Sequence, residues 1–281
     1  MRAATGLLDC RWWILMGSSL DMTFDAIGIP EEQRNCFERH PYFFMRAVPR
    51  LNDALVKVFG RPFAPGENHP VIIFLLDQFA VEDFMEILLL SGNGYGSAAL
   101  RLLRGMFERV VHARYLSRHP EELQAFLDYD YVHQMRGLRH GVPLPDDQRE
   151  EVERQYARVK EQFLDSRGGV RGSWTRMDLR TMAEQVGLGD FYVTHFYWPT
   201  LKAHTTVMAL KVRLKDSEGK VTLIQGPQRS DADLALCGAH MLIAFMLEDH
   251  NDHFALALDE EIAVVKGDFT TCWDREPGVL A

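Results

Sequence analysis

The chain has 281 residues, 47% of them hydrophobic and 25% charged, and a formal net charge of −9. That is enough apolar material for a sizeable core, in one large domain or two small ones. The acidic balance excludes a general polyanion binder, so contact with nucleic acid requires a local basic patch. Cys10, Cys36, Cys237 and Cys272 are far apart and include no Cys-x-x-Cys pair. Neither a zinc module nor a disulfide framework is indicated, and a reducing cytoplasm is the expected location.

Helical periodicity dominates the chain. The apolar run Trp12 to Met16 is shorter than the core of a signal peptide and reads as an amphipathic start. Pro30-Glu31-Glu32 opens a short helix, with proline and acids where a first turn tolerates them. Residues 41–59 continue helically with a kink or break at Pro49, and 60–70 form a Gly/Pro loop. A long helix follows over 70–91. Its stretch 71–90 is the most hydrophobic of the chain, but Asp77, Gln78, Glu82, Asp83 and Glu86 exclude a membrane span. "SGNGYG" turns the chain into a second long helix over 96–116, antiparallel to the first, which ends at His119-Pro120. A third helix follows to about 140.

Residues 146–165 are rich in charge and poor in apolar anchors, which predicts a solvated helix or arm. Shorter helices are predicted around 178–186 and 189–210, and alternation in 211–226 predicts a β-hairpin. The last long helix covers 230–258, capped by Ser230 or Asp231, and its "EDHNDHF" segment reads as a solvated end. The expected fold is all-α: a single helical bundle with one small β-hairpin near 212–224. Its divisions are an N-terminal helical extension (1–66), the bundle (67–260) and a C-terminal tail (261–281).

The helix over 96–116 carries an unusual polar line. At about 100° per residue, Ser97, Arg101, Arg104, Glu108, His112 and Tyr115 fall within roughly 80° of one another, between broad apolar flanks. Arg109 and Arg114 alone interrupt those flanks. Buried charge needs partners. If the two long helices fold back on each other, Glu86 lies level with Arg101 and Glu82 with Arg104, giving a structural salt-bridge network. The functional reading is a pocket where Arg104, Glu108 and His112 meet a ligand or perform acid–base chemistry, with His112 titrating near neutrality. A second polar line, Tyr197, Thr200 and His204, shares a helical face flanked by Phe196, Trp198 and Leu201. It is expected to close over the seam, so that Arg104, Glu108 and His204 form one buried cluster. The site candidates are therefore Glu108, His112 and His204 as catalytic groups, and Arg101, Arg104, Tyr197 and Thr200 as binding groups.

The segment "GSAALRLLRGMFERVVHARYLSRHPEELQAFLDYDYV" resembles the centre of a bacterial family, domain-of-unknown-function family 5677. Arg104 and Glu108 occupy the positions of its small-x-x-x-Leu-x-Arg-x-x-x-Glu helix. Tyr197, Thr200 and His204 match its Tyr-x-x-Ser-x-x-x-His segment, with threonine in place of serine. Trp174 and the "IQGP" hairpin end also fit, and the resemblance spans roughly 70–255. It implies an all-helical cytoplasmic protein with no established activity. That family is distantly similar to the HEPN helical domains, many of which are metal-independent ribonucleases of toxin and phage-defence systems. Their Arg-x(4–6)-His signature occurs as "RYLSRH" (114–119) and "RNCFERH" (34–40), but a pattern this loose carries almost no weight.

Two functions compete at this point. One is a metal-independent, RNase-like or nucleotide-acting effector, with Arg104 holding phosphate and His112 or His204 moving a proton. The other is a non-enzymatic interaction protein whose seam locks the core and whose 146–165 helix meets a protein partner. No metal and no cofactor are expected: Asp249 and His253 are one i,i+4 pair, whereas a closed metal site wants about four ligands. The expected partners are RNA or a nucleotide, a protein, or a second copy of the chain, and no membrane.

Overall fold

The computed structural model describes residues 28–60, 68–204, 206–217, 220–223 and 226–273. The Trp12–Met16 run and Cys10 lie outside them. In chain order the helices are α1 (Pro30–Arg39), α2 (Val48–Phe59), α3 (Asn68–Gly92), α4 (Gly96–Arg118), α5 (Leu123–Arg139), α6 (Asp146–Val159), α7 (Leu179–Gln185), α8 (Trp198–Ala203) and α9 (Val207–Lys211). Strands β1 (Leu214–Ser217) and β2 (Lys220–Leu223), then α10 (Arg229–Phe254) and α11 (Asp259–Trp273), complete the order. The fold is all-α. The expected hairpin is present: β1 and β2 pair antiparallel with Leu214 opposite Leu223.

Helices α3, α4 and α10 form the centre. Two contacts fix α3 and α4 as antiparallel: His69 binds the carbonyl of Leu116 at 2.8 Å, and Asp83 pairs with Arg109. Helix α10 runs with α4 and against α3. Near its start, the Ser97 hydroxyl donates to Asp231 at 3.4 Å and the Ser91 hydroxyl to the Ala232 carbonyl at 3.4 Å. Near its end, Arg114 meets Asp249 at 3.3 Å and Asp77 meets His250 at 2.8 Å. Gly96 permits the close start of this arrangement, because a Cβ there would lie 2.2 Å from the Gln228 carbonyl oxygen and 2.5 Å from the Ala232 nitrogen. The first turn of α4 has no cap from its own N-cap residue; Gln228 Oε1 accepts the Ser97 N–H at 3.1 Å instead. The cap expected for α10 at Ser230 or Asp231 is likewise absent. That helix begins at Arg229, and the Asp231 carboxylate pairs with Lys202 of α8 rather than capping it.

The core is continuous. Residues 1–66 and 261–281 were set apart on sequence grounds, yet their described parts join the same cluster, through Phe43, Leu51 and Val58 on one side and Ile262, Val265 and Trp273 on the other. Helix α6 keeps only Val152 and Val159 buried, in keeping with a solvated helix. The break at Pro49 takes a specific form. Residues Phe43–Ala47 make a π-helical turn, in which the Val48 N–H reaches the Phe43 carbonyl five residues back. Val193–Tyr197 repeats this device before Pro199, with the Trp198 N–H donating to the Val193 carbonyl. A proline ring clashes with the carbonyl four residues earlier and brings no N–H, and a wide turn relieves both.

The "EDHNDHF" segment is not a solvated end. His250 and Asn251 are buried, and Asp249 lies between Arg114 and Arg118. The reason is positional: α10 passes between α3 and α4, so its polar residues face Asp77 and Arg114 rather than water. Asn251 also builds the turn into α11, accepting the Leu258 N–H at 2.7 Å and donating to Asp259 at 3.0 Å.

Candidate functional site on the fourth helix

Alanine and leucine give α4 strong helix propensity, and its buried face (Ala99, Leu100, Leu103, Met106, Phe107, Val110, Val111) locks it to α3 and α10. The turn at Val193–Tyr197 and helix α8 pack on its remaining side. His195 anchors that turn. Its imidazole is buried over Gly238 of α10, where a side chain would collide with it, and its Nδ1 binds the Phe191 carbonyl at 3.1 Å. Burial pushes its pKa down to about 4, so the ring is neutral at physiological pH.

This anchoring places Phe196 and Thr200 against Arg104. The half-buried Arg104 donates from Nε to Thr200 Oγ1 at 2.8 Å, and its guanidinium carbon lies 4.7 Å from the centre of the Phe196 ring. The Thr200 hydroxyl spends its own proton on the Phe196 carbonyl at 2.6 Å, leaving a lone pair for the arginine. Neither terminal nitrogen of Arg104 has an acceptor among the described residues. One turn on, the half-buried Glu108 carboxylate has no hydrogen bond or cationic partner among them either. A further turn on, His112 donates from Nδ1 to the Glu108 carbonyl at 2.9 Å and lies between Trp174 (6.0 Å) and Phe126 (6.4 Å). Because the carbonyl can only accept, neutral His112 carries its lone pair on Nε2. Burial lowers its pKa below 6.5 against the opposing pull of Glu108.

The expected ion pairs with α3 do not form. Glu82 and Glu86 are exposed, and so is Arg101, whose Nε turns back to the Ser97 carbonyl at 3.3 Å. The arginines that seemed to interrupt the apolar flanks carry the pairing instead. Arg109 pairs with the buried Asp83, whose pKa burial pushes up to about 6. Arg114 meets Asp249 and lies 5.3 Å from the centre of the Phe245 ring; burial pushes Asp249 up to about 7 despite both arginines. Thr200 of the second polar line reaches the seam, whereas Tyr197 is 49% exposed and His204 is exposed at the end of α8. Helix α8 ends at Ala203 and the His204 backbone is extended (φ −93°, ψ 161°), so Tyr197, Thr200 and His204 do not close over Glu108 as one face. No hydrogen bond or ion pair links His204 to Arg104 or Glu108 among the described residues.

Sequence reasoning missed His195, the buried Asp77–His250 pair and the role of Trp174 beside His112. Glycine at 238 within an otherwise apolar helix was the one available signal for the first. Among the described residues, no three His, Cys, Asp or Glu side chains gather as a metal-ligand set.

Comparison with curated proteins and with solved structures gave no match. Residues 71–221, just over half of the chain, match the model of a family of unknown function, DUF5677. The match is shorter than the 70–255 span of resemblance. It takes in the seam, Trp174 and the π-helical turn with Thr200, and stops before the central helix α10. The chain therefore belongs to the family of unknown function DUF5677.

Proposed function

We propose that the protein binds a phosphate-bearing ligand, RNA or a nucleotide, at Arg104 and acts on it without metal through Glu108 and His112. One observation supports this above others: among the described residues, Arg104 is fixed by Thr200 and Phe196 yet has no carboxylate partner, and Glu108 beside it has no cation. A core-locking pair would join the two. A fixed and unneutralised guanidinium suits a phosphate and the negative charge that develops on it. His112 Nε2 is free to take a proton from an attacking hydroxyl, and the Glu108 carboxylate stabilises the imidazolium so formed. His204 has no part in this geometry. A role as an RNase-like effector of toxin or phage-defence type, in the cytoplasm, rests on the distant HEPN resemblance.

A second reading, a non-enzymatic interaction protein, draws on a different feature. Val207, Leu210, Val221 and Leu223 on α9 and the hairpin are all at least 60% exposed, and α6 offers a charged solvated face. Fluorescence anisotropy with labelled single-stranded RNA, and calorimetry with adenosine nucleotides, both in chelator, separate the two readings. Arg104→Ala should weaken binding at least tenfold while cooperative melting is retained. Wild-type protein that binds neither ligand, or an Arg104→Ala protein that binds equally well, overturns the proposal.

A further inference from the structure

Two more arginines without carboxylate partners among the described residues lie outside the seam, in an open hollow of about 530 Å³ formed by segment 164–178 and lined by Ser166, Arg171, Ser173, Thr175 and Arg176. Asp165 and Asp178 also line it, but both are engaged by backbone. Asp165 Oδ1 accepts the N–H groups of Arg167 (2.7 Å) and Gly169 (2.9 Å), and Asp178 Oδ1 accepts that of Thr181 (2.8 Å) to cap α7. Arg171 is held in place from several sides. Its N–H donates to the Phe163 carbonyl at 2.8 Å, and its own carbonyl accepts from the Tyr129 hydroxyl at 2.6 Å and from Arg136 Nη2 at 2.5 Å. Its guanidinium lies 5.7 Å from the centre of the Phe163 ring and donates from Nη2 to the Gln162 carbonyl at 2.9 Å. Its Nε and Nη1 atoms are buried with no acceptor among the described residues. Burial, and then the neighbouring Arg176, both lower its pKa. Arg109 and Arg114, by contrast, each have an aspartate.

Buried donors of a charged group are costly when left unmade. The hollow offers a phosphate oxyanion two guanidinium groups and three hydroxyls, while Asp165 and Asp178 keep their charge but turn Oδ1 to backbone N–H groups. We propose that segment 164–178 is a second site, binding the phosphate group of a phosphate ester through Arg171 and Arg176, with the hydroxyls of Ser166, Ser173 and Thr175 as further donors. Trp174, between two of these residues, packs 6.0 Å from His112, so the hollow borders the far end of the seam. The inference does not depend on chemistry at Glu108 or His112.

Calorimetry with inorganic phosphate, at constant ionic strength in chloride, tests it in an Arg104→Ala background, where the seam has lost its cation. One phosphate should bind per chain. Arg176→Ala, at an exposed position with no hydrogen bond or ion pair among the described residues, should weaken it at least tenfold with unchanged melting. Arg171→Gln should do the same. Adenosine monophosphate or a short single-stranded RNA should displace the phosphate; the first points to a nucleotide, the second to a polynucleotide. Absence of phosphate binding in the Arg104→Ala protein, equal affinity after either added substitution, or displacement by neither ester overturns the proposal. An RNA affinity weakened tenfold by Arg104→Ala tests the seam, and the residual binding that displaces phosphate in that background tests the hollow, so the two claims fail separately.

Discussion

Gly238→Ala probes the contact that positions the seam's second wall. A Cβ at 238 would lie 2.5 Å from His195 Cδ2, 2.6 Å from its Nε2 and 2.9 Å from Leu103 Cδ2. None of these atoms yields easily. Leu103 is fully buried in α4, and the His195 ring is buried and tied to the Phe191 carbonyl. Contacts this short put the overpacking cost in the upper part of its usual range, about 2–3 kcal/mol, against a gain of about 1 kcal/mol for alanine over glycine within a helix. The expected net loss is about 1–2 kcal/mol, with the midpoint of urea unfolding lowered and its slope unchanged. Ring displacement also moves Phe196 and Thr200, so ligand affinity at Arg104 should fall with stability. In a His195→Ala background most of the penalty should vanish, because the imidazole is the nearest obstacle. A Gly238→Ala protein as stable as wild type, or one equally penalised without His195, would refute the packing argument.

Asp77→Ala leaves His250 without its buried partner and should cost about 1–3 kcal/mol, while Asp77→Asn, which keeps shape and an acceptor, should cost clearly less; equal melting of both variants would contradict the pairing. His195 and His240 both have pKa values pushed down to about 4 by burial. Between pH 6.5 and 4 the unfolded chain therefore takes up protons that the folded chain refuses, and these groups withdraw stability as pH falls through that window. Nuclear magnetic resonance titration should show both rings neutral at pH 6, and a midpoint near 6.5 for either would count against their burial. Val221→Lys, on a strand whose residues are all exposed, should change stability by less than about 0.5 kcal/mol; a larger loss in thermal melting would mean that the hairpin is covered.

The helices, the turn at "SGNG", the hairpin and the odd seam on α4 were legible because each is a local pattern: period, breaker or alternation. Pairing was not. The sequence offers Glu82, Asp83 and Glu86 as equivalent acids, and only the facing angle of α3 decides that Asp83 points inward to Arg109. Polar residues at the end of α10 read as surface because charge usually marks water, whereas a helix packed on both sides turns the same residues into a buried network with Asp77 and Arg114. The end of α8 was hidden for a related reason. Regular spacing places His204 on the face of Thr200, but α8 stops at Ala203 and the extended backbone at His204 leaves that face.

The most direct test of the central claim is turnover of single-stranded RNA and of nucleoside triphosphate by wild-type and Glu108→Gln protein, in chelator, between pH 5 and 8. Wild-type turnover is expected, and a Glu108→Gln protein with unchanged melting and ligand affinity whose rate falls at least a hundredfold, because the His112 imidazolium loses the carboxylate that stabilises it. Equal rates in the two proteins, or no turnover of either substrate by wild type, would contradict it.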